Sequence, residues 1–219
     1  VSRHKLASLV FLVNPTVIDF AFSQLRMALA VSLMMFALFL RNQKTLLIAL
    51  LMLASCIHTA AFLILLIYFA VKILISRPVV GKLNGFHCWL VCIGIGLAIL
   101  LIIGPFRAGI LSMLGDRRAE YDVGARSIKY AIFWMMLLLT AATQEKSYFE
   151  IEGNGIAITF LAIFAGGAFL DIYNDLFLSS AYPLIISSIL TLSAQKKRLI
   201  LPLYFVAVTA QWNLWLNGA

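Results

Sequence analysis

Apolar runs recur from one end of the chain to the other, at 6–22, 25–40, 45–75, 86–106, 128–143, 155–170, 177–194 and 199–216. Several approach the roughly 20 apolar residues that carry a helix across a bilayer. They are continuous rather than alternating, which argues against a transmembrane β-barrel. Composition agrees: 63% of the 219 residues are hydrophobic and 12% are charged, whereas soluble domains carry about 25% charged residues. The expected fold is all-α, a polytopic transmembrane helix bundle forming a single integral membrane domain over 1–219. No internal repeat or low-complexity linker divides it. The first apolar segment has no small-residue cleavage pattern behind it, so it is not read as a signal peptide. The chain begins at Val1 and stops just after an apolar segment, which reads as a fragment or a chain lacking flanking helices.

Segment 45–75 departs from the pattern. Its 31 residues would make a helix of about 46 Å, too long for one ordinary span and too short for two. Ser55, Cys56, His58 and Thr59 interrupt its middle. This predicts a broken or re-entrant helical hairpin over 45–75 with His58 near the tip and Thr59 capping the second arm. A single long tilted helix is the alternative.

Loop charges favour the hairpin. If the chain enters and returns there, "RNQK" (41–44), "SRPVVGK" (76–82), "QEKSYFE" (144–150), "QKKR" (195–198) and the N-terminal "RHK" share one side. With Lys72, that side then holds 11 of the 17 Lys and Arg residues and is cytoplasmic by the positive-inside rule. The net charge of +8 is thereby explained without nucleic acid. The outer side receives Asp19, Gln24, Arg26 and His58, the loop 107–127, "LDIYNDLF" (170–177), and Trp212 and Trp215 in an interfacial belt.

Polar residues on that side are the candidates for chemistry. Three readings of Arg26, at the head of the apolar run "RMALAVSLMMFALFL", stay open. It snorkels to the headgroups, pairs with Asp19, or faces a cavity and binds phosphate. The loop 107–127 is basic for an outer loop. Its arginines either grip a lipid-linked diphosphate or pair with Asp116, Glu120 and Asp122. His58 either bonds a carbonyl or acts as a base, since its pKa lies near neutrality. Asp171 and Asp175, four residues apart, share a face if 170–177 is helical, and either could deprotonate a hydroxyl or bind a sugar. Tyr121, Tyr173 and Asn174 suit sugar contacts. The glycines of "GIG" (94–96) and "GG" (166–167) read as close-packing positions. Cys88 and Cys92, beside His87, read as packing residues, because a structural zinc site needs a fourth ligand. No metal site is expected.

The stretch 24–69, "QLRMALAVSLMMFALFLRNQKTLLIALLMLASCIHTAAFLILLIYF", resembles the EpsG/Wzy-type polysaccharide polymerase family. The matching positions are Arg26, Ala28, Leu29 and Ala30 at a helix start, a short basic loop, and then Ile57, His58, Thr59 and Ala60 at the end of an apolar helix. Met27 stands where the family commonly has Gln. The resemblance implies a cofactor-free, metal-independent membrane glycosyltransferase of the bacterial inner membrane. It would join undecaprenyl-diphosphate-linked repeat units of O-antigen, capsule or exopolysaccharide on the periplasmic face. Implied partners are the lipid-linked oligosaccharide substrate and membrane lipids, with a chain-length regulator and a flippase nearby. Arg26, Arg117, Arg118 and Arg126 are then assigned to the diphosphate. His58 is assigned as base or orienting group, with Asp171 and Asp175 as substitutes, and Gln24, Tyr121, Tyr173 and Asn174 to the sugar. The alternatives are a transporter or flippase of lipid-linked glycans and another membrane glycan-modifying transferase.

Overall fold

A computed structural model describes residues 11, 13–40, 43–76, 84–113, 128–151, 153–170 and 175–217. Among these every regular element is helical: α1 (Pro15–Ser23), α2 (Leu25–Phe39), α3 (Lys44–Ile57), α4 (Thr59–Ser76), α5 (Gly85–Met113), α6 (Ile128–Ala142), α7 (Lys146–Glu150), α8 (Asn154–Leu170), α9 (Asp175–Leu190) and α10 (Ala194–Leu216). By length and composition two are able to cross a membrane, α5 over Gly85–Ile102 and α10 over Ala194–Leu216. A third span forms if α1 and α2 are counted together across their 109° bend. The other apolar helices measured are shorter, at 10–17 residues. The helices group into two compact units, Val1–Ala70 with Val206–Ala219, and Val71–Phe205.

In the first unit, Asn14 starts α1: its Oδ1 accepts from Thr16 N at 2.8 Å, and Pro15 supplies the first helical residue. The chain breaks at Gln24 (φ −127°, ψ 48°) and resumes as α2. Met27, Ala30, Val31, Met34 and Ala37 are buried along one face of α2, at the spacing that aligns side chains on a helix. The opposite face exposes Leu25, Leu29 and Phe36. Ser32 does not interrupt this helix, because its hydroxyl returns to Ala28 O at 2.8 Å. α3 packs along α2, with Leu51 and Ala54 buried. The expected break in 45–75 falls on one residue, His58, which is extended (φ −149°, ψ 123°). The described partner of α3 is α2, its predecessor in the chain. The expected cap by the Thr59 side chain lies outside the described residues.

The second unit is built around α8, buried on every side from Asn154 to Ala165 and flanked by α5, α6 and α9. Close approach of α5 to α8 depends on Gly96: a Cβ there would lie 2.7 Å from Thr159 O and 2.9 Å from Ala162 Cβ. From the other side, Gly166 receives Leu97 and Leu100. Gly94 differs from the expectation for "GIG": it faces open space, with nothing within 4 Å of its would-be Cβ. Trp89 Nε1 donates to Leu138 O at 2.9 Å and fastens α5 to α6.

Three expected loops are partly or wholly helical. α5 continues through 107–113 to Met113, because "RAGILSM" is rich in strong helix formers. Its 29 residues extend about 43 Å. The "QKKR" residues form the opening of α10, where Lys197 N donates to Ser193 O at 2.9 Å. "QEKSYFE" contains the short helix α7, which buries Tyr148 and Phe149.

Candidate functional site

α2 and α3 have nearly equal lengths, 15 and 14 residues. They are packed together and joined by the short connection 40–43, so they run antiparallel. The start of α2 and the end of α3 therefore share one end of the pair. That end carries Gln24, Arg26 and His58. Arg26 is exposed, and its guanidinium makes no hydrogen bond or ion pair among the described residues; in particular it does not pair with Asp19. Gln24 holds the α1–α2 break through its backbone, its N–H donating to Phe20 O at 3.1 Å and its carbonyl accepting from Ala28 N at 2.9 Å. Its side-chain Oε1 is buried without a partner among the described residues, an acceptor suited to a hydroxyl or amide donor. His58 is half-buried. Its backbone joins the two arms, with N–H to Ala54 O at 3.1 Å and carbonyl accepting Ala61 N at 2.9 Å.

The second unit has two chemically distinct ends. At one, four connections meet. Gly85 sits directly on the Gln144 carbonyl, which its Cβ would approach to 1.9 Å. Lys196 Nζ donates to Thr143 O at 2.5 Å. Asn154 Nδ2 donates to Tyr148 O at 2.8 Å and to Thr191 Oγ1 at 2.9 Å. The residues after "SRPVVGK", within "QEKSYFE" and within "QKKR" thus share one end, as the loop charges predict. Lys146 pairs there with Glu150 at 3.2 Å. Burial drives the Tyr148 phenol well above its usual range, with Ser188 nearby offsetting part of the effect.

The opposite end of this unit carries Met113, Ile128, Leu170 and Asp175, the residues flanking 114–127 and 171–174. Asp175 opens α9, the position where a carboxylate favours the helix dipole. Arg117, Arg118, Tyr121, Arg126, Asp171, Tyr173 and Asn174 lie outside the described residues, as does the Asp175 side chain.

Comparison finds no matching family model, no matching curated protein and no matching solved structure.

Sequence reasoning passed over a buried aromatic group in the second unit. The Tyr182 and Tyr204 hydroxyls hydrogen-bond to each other. Trp134 lies edge-on to Tyr182 (centroids 6.1 Å) and Phe133 to Tyr204 (5.8 Å). Trp134 is 1% exposed, and its Nε1 has no acceptor. The available signal was a tyrosine within two residues of a proline in two apolar runs, Tyr182-Pro183 and Pro202-Leu203-Tyr204. Neither helix stops at its proline. Among the described residues, no group of three His, Cys, Asp or Glu is placed to hold a metal ion.

Proposed function

We propose that this protein is a polytopic membrane polysaccharide polymerase of the bacterial inner membrane, acting on undecaprenyl-diphosphate-linked repeat units at the periplasmic face. The observation that carries the reading is the unpaired Arg26 at the same end of the α2–α3 pair as the break at His58. These are the two positions at the heart of the 24–69 resemblance. In this reading 45–75 is a re-entrant element whose tip is His58.

The acceptor sugar hydroxyl attacks the anomeric carbon of the growing chain. The bond from that carbon to the phosphate oxygen breaks, and undecaprenyl diphosphate leaves with the electron pair. His58 takes the hydroxyl proton, with Asp171 and Asp175 as substitutes. Arg26, Arg117, Arg118 and Arg126 stabilise the charge that develops on the departing diphosphate. Gln24, Tyr121, Tyr173 and Asn174 contact the sugars, and the unpartnered Gln24 Oε1 supports its part in this.

Arg26→Ala is the direct test. A membrane-inserted variant is expected to accumulate the single lipid-linked unit and make no polymer. Wild-type chain-length ladders from such a variant would overturn the reading, as would flipping of lipid-linked sugars by the purified chain without bond formation.

A further inference from the structure

The end of the second unit where four connections meet carries a cationic pair that nothing among the described residues neutralises. Of its basic side chains, Lys146 is held by Glu150 at 3.2 Å and Lys196 by the Thr143 carbonyl at 2.5 Å. Lys197 and Arg198 make no side-chain hydrogen bond or ion pair among the described residues. Glu145, exposed before α7, is not paired with either. The first turn of α10 contains no acidic residue, so both cations stand at the helix end where positive charge is disfavoured. Two unpaired cations in that position leave a local excess of positive charge.

The same helix supplies the setting. α10 is one of the two described helices long and apolar enough to cross a bilayer. Beyond the basic turn it exposes Leu199, Phe205 and Val206. Cations therefore stand at the head of an outward apolar surface, which matches an anionic headgroup above acyl chains. Arg198 offers a planar donor fork for phosphate oxygens and Lys197 a point charge beside it.

We infer that Lys197 and Arg198 form a binding site for the phosphate of an anionic phospholipid, phosphatidylglycerol being the probe. The site requires α10 to lie in a bilayer but is independent of sugar transfer.

The test is native mass spectrometry of the full chain released from nanodiscs of mixed phosphatidylcholine and phosphatidylglycerol. The wild type is expected to retain phosphatidylglycerol in preference to phosphatidylcholine. At about fivefold per cation near a membrane surface, Lys197→Gln with Arg198→Gln should lower that preference roughly 25-fold. Equal retention of the two lipids, or undiminished preference in the double variant, overturns the inference. Displacement by inorganic phosphate at equal concentration also overturns it, since the site would then be one for free anions. Loss of polymer with lipid retention preserved would bear on the polymerase reading alone.

Discussion

Asn154 Nδ2 lies 2.9 Å from Thr191 Oγ1 and 2.8 Å from the Tyr148 carbonyl, so one buried amide joins α7, the start of α8 and the residue just after α9. Asn154 is fully buried, and both of its partners accept from its amide N–H groups.

Asn154→Ala should therefore lower stability by about 2 kcal/mol, the scale of stranding buried polar groups. The midpoint of denaturant unfolding in detergent measures it. A change under about 0.5 kcal/mol would mean that water already serves these groups.

Gly96 and Gly94 should respond in opposite ways to the same substitution. Gly96→Ala forces a Cβ against the Thr159 carbonyl and Ala162, at an expected cost of about 1–3 kcal/mol. Gly94→Ala meets open space and should be neutral or stabilising by up to about 1 kcal/mol. Thermal unfolding of the two variants side by side checks the pair.

Tyr148 should make the protein sensitive to alkali. Burial raises its folded pKa above the unfolded value of about 10, so the folded state holds the phenolic proton longer than the unfolded state. Its contribution to stability is full below pH about 10 and is lost as pH rises from there through the folded pKa, at up to about 1.4 kcal/mol per pH unit. Tyr148→Phe should flatten this part of the profile. Because Ser188 is near the hydroxyl but no hydrogen bond to it is formed among the described residues, the substitution should change stability at neutral pH by no more than about 1 kcal/mol.

Arg26→Lys separates charge from geometry in the proposed polymerase. A lysine keeps the positive charge but loses the two-pronged donor that matches a phosphate. Polymer yield in a membrane assay should fall about tenfold or more, against complete loss in Arg26→Ala. Equal yields from wild type and Arg26→Lys would reduce the role of Arg26 to charge alone.

The break at His58 was legible because Ser55, Cys56, His58 and Thr59 cluster there within an otherwise apolar run. The shared end of the basic connections was legible because charge is costly in lipid, so it marks where chains turn. Helix ends were less legible. Lys, Arg and Gln are good helix formers as well as loop residues, so "QKKR" gave no sign that α10 starts before it. The Gly94 and Gly96 difference was hidden because both belong to the same apolar run, and only the position of α8 distinguishes them. The tyrosine pair escaped notice because Tyr182 and Tyr204 count as apolar in a hydropathy pattern, although each carries a hydroxyl that must find a partner once buried.

The enclosure of α8 has a consequence for biogenesis. A ribosome completes α5 and α6 before α8, but α9 emerges only afterwards. During that interval the newborn helix has one flank bare, with Asn154 waiting for Thr191, a residue not yet synthesised. A chain arrested before 191 would leave the seam open and Asn154 without its Thr191 partner. Completion of α9 thus supplies both the last of the three helices that flank α8 and the hydroxyl that Asn154 requires.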